Sequence, residues 1–316
     1  MPAMSAAVPG VMPVVPEVSP AVRSALQGGR PVVALESTII SHGLPRPSNL
    51  AAALSFEALL FETGVTPATI ALIDGVPKVG LTGSELERIA LDESVIKVSS
   101  RDLGPAMVSK VTGATTVAAT SVLAVQAGIR VFATGGLGGV HRGFADSFDE
   151  SADLTVLGRT PITVVAAGVK SILDIPATLE RLETLAVAVV GYRTNRFPAF
   201  YLSDSGEPLD WRVDSAEEIA ALMAARDAVR DGAALVVANP LPDFRQLDPE
   251  AHDRALRSAL AAAEAAGVRG KAVTPFLLAH MQQATGGASV AVNLDVARGN
   301  IILAGAIATA WAALAH

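Results

Sequence analysis

Short apolar runs alternate with amphipathic segments along most of the chain. The runs read as buried strands and occupy residues 31–35, 68–73, 95–98, 131–134, 162–166, 186–190 and 234–238. Helical periodicity occupies residues 114–127, 215–230, 249–266 and 275–284. Continuously apolar strands that alternate with helices are typical of βα units, in which helices cover both faces of a parallel sheet. The pattern therefore predicts an α/β fold with a mainly parallel central sheet.

The chain shows no feature that would divide it into separate domains. Its 316 residues contain no repeat of 20–50 residues and no low-complexity linker. Residues 1–20 are rich in proline and small side chains, which predicts a flexible N-terminal tail. We therefore expect one catalytic domain over residues 21–316.

The apolar content indicates a packed core. Hydrophobic residues make up 51% of the chain and charged residues 17%, below the usual quarter, but much of the excess is alanine. The apolar run that most resembles a membrane span, residues 301–315, is shorter than the ~18 residues that a membrane-spanning helix needs. It predicts a buried C-terminal helix. The N-terminus lacks a basic segment followed by a long apolar one, so we expect a cytoplasmic protein with no membrane partner.

Composition excludes several chemistries. The chain has no cysteine, which rules out disulfides, a thiolate nucleophile and cysteine-ligated zinc. Its five histidines show no zinc-binding spacing. A net charge of −7 disfavours binding to a nucleic acid polymer, although a cleft with local positive charge can still hold a small anion.

Polar residues follow several of the predicted strands. They are Glu36, Ser99, Gly135, Lys170 and Asn239. Ligands of open α/β sheets bind outside the carboxyl ends of the strands, so these positions predict one site at one edge of the sheet.

The glycine-rich segment 134–143, TGGLGGVHRG, follows a strand but matches neither a dinucleotide nor a nucleoside triphosphate motif. Closely spaced glycines let main-chain N–H groups approach an anion, and His141 and Arg142 could add positive charge. The alternative is a tight turn that needs positive φ. We favour contact with a ligand.

Lysine is scarce, with five residues: Lys78, Lys97, Lys110, Lys170 and Lys271. A lysine that loses its proton can act as an amine nucleophile, which arginine cannot do. Lys170 follows the apolar run 162–166, a setting able to lower the pKa of its amine, but a solvated lysine at the start of a helix is equally compatible. Lys97 fits either a salt bridge or a phosphate contact.

Two acidic positions have both a structural and a functional interpretation. Glu36 ends an apolar strand, where a carboxylate is costly unless it is paired, caps the Thr38 or Ser41 backbone, or takes part in chemistry. The segment 149–153 resembles a helix N-cap, but its carboxylates also suit Mg²⁺ or Mn²⁺.

These segments together resemble the pseudouridine-5′-phosphate glycosidase family, from about residue 17 onward. The matching stretches are PVVALESTIISHG (31–43), KVS (97–99), RDL (101–103), GATTV (113–117), FATGGLGGVHRG (132–143), SAD (151–153), KSILD (170–174), NP (239–240) and TPFLL (274–278). Ser100 and Gly299 depart from the arginine and asparagine that the family often has there.

The resemblance implies an enzyme that reversibly cleaves the C–C glycosidic bond of pseudouridine 5′-phosphate to uracil and ribose 5-phosphate. It also implies a three-layer α/β/α sandwich, a homotrimer and one Mn²⁺ ion per subunit. Lys170 matches the nucleophile that forms an imine with the opened ribose, Glu36 the proton donor and Asp149 the metal ligand. The positions implied to contact substrate are Lys97, Val117, Thr134, His141, Ser151, Ala152, Asp153 and Asn293.

The implied chemistry agrees with the residues present. The leaving atom is a carbon, so an amine nucleophile, a placed acid and a phosphate anchor are all required, and the sequence offers a candidate for each. Two rivals stay open: an enzyme that joins ribose 5-phosphate to another aromatic acceptor, and a non-catalytic phosphosugar-binding protein.

Overall fold

The computed structural model describes residues 15–314, and of Lys271 it describes the main chain only. Strands in this part of the chain are β1 (Glu17–Val18), β2 (Val32–Leu35), β3 (Thr66–Ile73), β4 (Val76–Val79), β5 (Ile96–Val98), β6 (Gly113–Thr115), β7 (Val131–Ala133), β8 (Thr163–Ala166), β9 (Ala188–Tyr192), β10 (Arg212–Val213) and β11 (Leu235–Ala238).

The α-helices of the same part are α1 (Pro20–Gln27), α2 (Ser48–Phe61), α3 (Gly83–Leu91), α4 (Leu103–Val108), α5 (Val117–Gln126), α6 (Phe144–Ser147), α7 (Ala152–Leu157), α8 (Ile175–Thr184), α9 (Ala216–Ala228), α10 (Pro249–Ala265), α11 (Val273–Ala284) and α12 (Ala288–Leu314). A π-helical turn spans Ile39–Gly43, and 3₁₀ turns span Ser100–Asp102, Asp243–Arg245 and Gly270–Ala272.

The strands form one mixed sheet in the order β1-β4-β3-β2-β7-β8-β11-β9-β10, with β6 pairing both β3 and β5. Along this order, every neighbouring pair in the part β3-β2-β7-β8-β11-β9-β10 is parallel. Strands β4 and β6 run antiparallel to β3. The predicted α/β class, with a mainly parallel sheet flanked by helices, is confirmed.

Alternation within the buried strands divides the core between the two faces of the sheet. In β2, Ala34 packs toward α1, α5 and α10, whereas Val33 and Leu35 pack toward α2, α9 and α12. Val164 and Val165 of β8 divide in the same way. Because successive side chains of a strand point to opposite faces, apolar strands of this kind need helices on both sides.

The C-terminal helix is longer than the apolar run that predicted it. Within residues 15–314, α12 alone is long and apolar enough to cross a bilayer. However, 56% of its most apolar 18-residue stretch is buried, and Ile301, Ala304 and Ile307 pack in the same core cluster as Phe56 of α2. In this fold α12 is therefore a core helix.

The helix expected over residues 114–127 begins later. Residues 113–115 form β6, and α5 starts at Val117 behind Thr116, whose side chain accepts the Ala119 N–H. β-branched Thr115 favours a strand, and a threonine hydroxyl is a strong helix N-cap, so the boundary falls between them.

The described part of the expected N-terminal tail is structured. Glu17–Val18 pairs with Lys78–Val79 of β4, and α1 starts at Pro20 with Ser19 as its N-cap. Residues 1–14 of that expected tail lie outside the described residues.

The turn after β8 depends on a glycine. Gly168 has φ +72°, and a Cβ there would overlap the Pro198 carbonyl oxygen. The Phe200 N–H donates to the Ala167 oxygen at 2.9 Å, which holds the neighbouring segment against this turn. Gly168 therefore allows both the left-handed backbone and the close approach of the 197–200 segment.

We expect Gly168→Ala to lower the free energy of unfolding by about 3 kcal/mol or more, because it adds an overlap to the ~1–2 kcal/mol of left-handed strain. Gly128→Ala is the matched control, since Gly128 also has positive φ but its Cβ would meet open space. Urea denaturation of both variants separates the two costs. Equal losses would show that the 197–200 segment simply moves aside.

Candidate active site

A cavity of about 390 Å³ opens at the carboxyl edge of the parallel strands. Most of the residues singled out from the sequence line it, although their segments are far apart along the chain. These residues are Glu36, Lys97, Val117, His141, Asp149, Ser151, Ala152, Asp153, Lys170 and Asn293. Thr134 lies behind the cavity wall and is connected to the site by a hydrogen bond from its hydroxyl to Glu36.

Glu36 directly follows β2 and is only 8% exposed. The Thr134 hydroxyl donates a hydrogen bond to its Oε1. Burial raises the pKa of Glu36, and Lys170 and the Thr134 hydrogen bond oppose that rise only in part. A carboxyl group in this setting keeps its proton to higher pH than an exposed one and can serve as an acid.

The Ser41 part of the capping alternative for Glu36 does not describe the structure, because the Ser41 main-chain N–H donates to the Ser37 oxygen at 3.1 Å. The Thr38 and Ser41 hydroxyls donate to the Thr115 and Ile89 oxygens at 2.7 and 2.6 Å and support neighbouring segments. The Glu36 carboxyl accepts from Thr134 and lines the cavity.

Lys170 lies in a turn between β8 and α8, not at the start of a helix as the alternative interpretation had it. Its Nζ donates to the Gly136 oxygen at 2.7 Å, and its main-chain N–H donates to the Leu137 oxygen at 3.2 Å. Both bonds join the turn to the glycine-rich loop. The amine is therefore held at the cavity wall, in the same charge cluster as Glu36.

The glycines of the loop serve mainly to allow close packing, and few of them have an unusual backbone conformation. Within residues 134–143 only Gly143 has positive φ. A Cβ at Gly136 would overlap the Phe200 ring, and one at Gly138 would overlap Ser151. The tight-turn interpretation thus applies to Gly143, whereas Gly136 and Gly138 let other segments approach the loop.

Asp153 ties two elements of the wall together. Its Oδ1 accepts the Ala118 N–H at 2.9 Å, near the start of α5, and its Oδ2 accepts the Gly138 N–H at 2.9 Å. The Ser151 hydroxyl accepts the Asp153 N–H and caps α7. The predicted N-cap is therefore present, and its first turn also lines the cavity.

Asp149 is the carboxylate in this segment that could take a cation. Neighbouring Glu150 is engaged by Arg181 through two contacts of 2.9 Å, and no described side chain donates a hydrogen bond to the Asp149 carboxylate. The described residues contain no cluster of three or more metal-ligating side chains. One carboxylate on a cavity fits a hard divalent ion that keeps most of its waters, and it does not fit a metal caged by protein.

The cavity also carries groups suited to an anion. Lys97 and the N-terminus of α5 at Thr116 and Val117 line it. At this helix start Asp153 accepts the Ala118 N–H and the Thr116 hydroxyl accepts the Ala119 N–H, so Val117 offers the first N–H to a negatively charged group. Burial lowers the pKa of His141, with Asp149 opposing and Lys97 adding to the effect, so its imidazole is neutral at pH 7.

Three further residues shape the site without having been predicted to do so. Phe200, in a left-handed conformation with φ +63°, lines the cavity against the glycine-rich loop. His42 lines it from the π-helical turn, and burial together with Lys97 and Arg46 lowers its pKa. Leu173 also lines the cavity. Phe200 lies in an irregular segment with no motif, so only the scarcity of aromatic residues could have drawn attention to it.

Asn239, expected at the site, lies outside the cavity wall. Its amide donates to Asn300 Oδ1 at 2.9 Å, and Asn300 donates in turn to the Thr134 oxygen at 2.7 Å. The pair therefore holds the base of the glycine-rich loop. Asn293, by contrast, lines the cavity, is 6% exposed, and has no hydrogen-bond partner for its Oδ1 among the described residues.

Comparison with known proteins agrees with this geometry. The family model described as "Indigoidine synthase A like protein" matches residues 21–310. A pseudouridine-5′-phosphate glycosidase of Frankia alni is 62% identical over 296 residues, which are 94% of this chain and 82% of the relative. One of Saccharopolyspora erythraea is 58% identical over 297 residues, 94% of this chain and 98% of the relative.

Solved structures share the same architecture. The prealnumycin C-glycosynthase AlnA, in complex with ribulose 5-phosphate, superposes with a TM-score of 0.87 at 37% identity and covers 95% of this chain and 98% of its own. An indigoidine synthase A-like protein of Thermotoga maritima gives 0.85 at 34% identity, with 94% and 96% covered. The chain belongs to the pseudouridine-5′-phosphate glycosidase family, the indigoidine synthase A-like proteins.

Proposed function

We propose that this enzyme reversibly cleaves the C1′–C5 bond of pseudouridine 5′-phosphate, giving uracil and ribose 5-phosphate. One observation carries the proposal: a lysine amine and a buried carboxyl with a raised pKa meet in a single cavity. The close relatives bear the name of this activity. Glycosidases that release an oxygen leaving group use two carboxyl groups, whereas release of carbon needs a nucleophile that can push electrons toward it.

In the proposed mechanism the neutral Lys170 Nζ attacks C1′ of the ribose, and the C1′–O4′ bond breaks with its electron pair on the ring oxygen, which takes up the proton that the attached nitrogen loses. Glu36 then protonates C5 of the base. The nitrogen lone pair forms a C1′=N bond as the C1′–C5 pair restores the C5=C6 double bond, and uracil departs. Water hydrolyses the resulting imine, which releases ribose 5-phosphate and frees the lysine.

The phosphate needs an anchor that leaves C1′ at the amine. Lys97 provides positive charge and Val117, at the start of α5, an N–H donor on the same cavity. Ser151, Ala152 and Asp153 begin α7 on the same cavity, and His141 and Asn293 complete the proposed set of substrate contacts. Thr134 acts through its hydrogen bond to Glu36.

Asp149 would hold a hydrated Mn²⁺ ion, which when bound supplies positive charge to the substrate's oxygens. For the proposed homotrimer, α2 and α12 pack against each other and carry the exposed apolar side chains Leu54, Phe61 and Ile302, which a subunit contact could bury. Because a phosphate monoester does not cross a bilayer unaided, we place the reaction in the cytoplasm.

The rival with another aromatic acceptor shares every step except the identity of the base. Incubation with ribose 5-phosphate and uracil should yield pseudouridine 5′-phosphate, since cleavage is reversible. Imine formation without any product from uracil would instead favour the rival, the activity named for the C-glycosynthase structure.

We expect Lys170→Ala to abolish turnover and to remove the adduct that borohydride traps with ribose 5-phosphate, because the other described lysine on the cavity, Lys97, is assigned to the phosphate and not to C1′. Mass spectrometry of the wild-type adduct should locate it on Lys170. Lys78→Ala is the control, since Lys78 pairs with Glu17 at the sheet edge and lies outside the cavity. Full activity in the Lys170 variant would refute the imine mechanism, and an untrappable wild-type protein would favour a non-catalytic binder.

Glu36 sets the alkaline limb of the pH profile. The Glu36 carboxyl must be protonated to act as an acid. Therefore kcat should stay constant at pH values below the raised pKa of Glu36 and should fall as pH rises through that pKa. Glu36→Gln should lose about 10²–10⁴-fold in kcat and lack this limb, while still forming the imine. Thr134→Val removes a hydrogen bond that lowers the pKa of Glu36, so its limb should move to higher pH. If the alkaline limb of kcat lay at the same pH in Thr134→Val as in wild type, Glu36 would not be the group that sets it.

Chelation should lower activity, and added Mn²⁺ should restore it. Asp149→Asn should weaken Mn²⁺ binding measured directly by calorimetry, because it removes the carboxylate charge. Asp146→Asn is the control, since Asp146 is exposed on the same segment and lies outside the cavity wall. Equal Mn²⁺ affinities in the two variants would exclude Asp149 as the ligand.

A further inference from the structure

Behind the catalytic turn lies a hydrogen-bonded chain that the proposed mechanism does not use. His252, in the first turn of α10, is 3% exposed, and its Nε2 lies 2.9 Å from the Ser171 hydroxyl. Its Nδ1 lies 3.1 Å from Asp253 Oδ1, at the protein surface. The chain Asp253–His252–Ser171 thus runs from solvent to the residue that directly follows Lys170.

The donors along this chain can be assigned from its chemistry. A carboxylate only accepts, so His252 Nδ1 carries the proton and donates to Asp253. Nε2 is then the acceptor, and the Ser171 hydroxyl donates to it. Burial lowers the pKa of His252, Asp253 opposes and nearby Arg142 adds to the effect, while the Tyr201 ring packs 6.3 Å away. The neutral tautomer is therefore the resident form.

Ser171 is not a nucleophile, although serine, histidine and aspartate also form hydrolase triads. Ser171 is 3% exposed and lies outside the cavity wall, so no substrate reaches its hydroxyl. What the hydroxyl does is attach the Lys170 turn to α10. On its other side the same turn is attached to the glycine-rich loop, through the bond from Lys170 Nζ to the Gly136 oxygen.

Helix α10 supports another part of the cavity lining. It packs against α11, whose residues Thr274, Pro275 and Leu278 line the cavity. The bond from Ser171 to His252 therefore joins the wall formed by α11 to the turn that carries the amine.

We propose that His252 is a positioning residue: by accepting the Ser171 hydroxyl it fixes the Lys170 turn between the glycine-rich loop and α10, and so aims the amine at C1′. The inference rests on the proposed role of Lys170 as nucleophile. An apolar side chain would fill the same space at less cost than a buried imidazole, which indicates that the directional bond matters. Displacing a reacting group by about 1 Å can cost about 10²-fold in rate.

The test compares His252→Phe, which keeps a ring but has no acceptor, with His252→Gln, whose Oε1 can take the place of Nε2. We expect His252→Phe and Ser171→Ala each to lower kcat and the rate of borohydride-trappable imine formation by about 10–100-fold. The KM for ribose 5-phosphate should change by less than about threefold, because neither variant alters Lys97 or Val117, the proposed phosphate anchors. His252→Gln should recover most of kcat.

The pair Ser258–His280 supplies a matched control. Ser258 Oγ lies 3.0 Å from His280 Nε2 and joins α10 to α11, six residues and so about 9 Å beyond His252 along α10. His280→Phe should leave kcat within about twofold of wild type. Thermal unfolding of all variants identifies any that lose the fold, and Ser171→Ala, the smallest change, then carries the comparison.

Two results would overturn the inference. One is an unchanged kcat in both His252→Phe and Ser171→Ala. The other is a loss in His252→Phe that His252→Gln does not recover, since the ring and not its acceptor would then be responsible. Failure of the proposed function is recognised separately, because the wild-type protein would then form no adduct on Lys170.

Discussion

The burial of Glu36 beside Lys170 is the interaction on which the site depends. A carboxyl at the end of an apolar strand is costly as a charge, so burial raises the pKa of Glu36, while the charge of Lys170 and the hydrogen bond from the Thr134 hydroxyl offset part of that rise. In water an acid and an amine would simply form an ion pair. In the cavity wall the desolvated carboxyl holds its proton to higher pH than an exposed one, and the amine is bonded to a main-chain oxygen.

The sheet makes this arrangement stable. Glu36, Thr134 and Lys170 follow the neighbouring parallel strands β2, β7 and β8, whose carboxyl ends lie side by side. Strands buried on both faces fix their own register, since a slip of one residue would exchange the two halves of the core. The positions of Glu36, Thr134 and Lys170 are thus determined by the packing of residues such as Ala34, Phe132 and Val164, none of which lines the cavity.

Support for the glycine-rich loop comes from several polar contacts that do no chemistry. Asp153 accepts the Gly138 N–H, Asn300 donates to the Thr134 oxygen, and Lys170 donates to the Gly136 oxygen. Each satisfies a main-chain group that the loop leaves unpaired by sheet or helix. Glycine is needed at positions 136 and 138 because Phe200 and Ser151 occupy the space that a side chain would fill. The loop is therefore held in place by the residues that pack around it.

The sequence by itself determined the fold class, the main parallel strands and the residue types at their ends, because short continuous apolar runs and the polar residues that follow them are local properties of the chain. Glu36 and Lys170 could be placed at the site in this way, and the resemblance of whole segments to a known family supplied the chemistry proposed for them. Tertiary structure decided what each of them meets. The raised pKa of Glu36, the exclusion of Asn239 from the cavity, the wall contributed by Phe200 and the bond from Ser171 to His252 all join residues distant in sequence. No local pattern encodes such contacts, since they arise only when the packed core brings separate loops to one edge of the sheet.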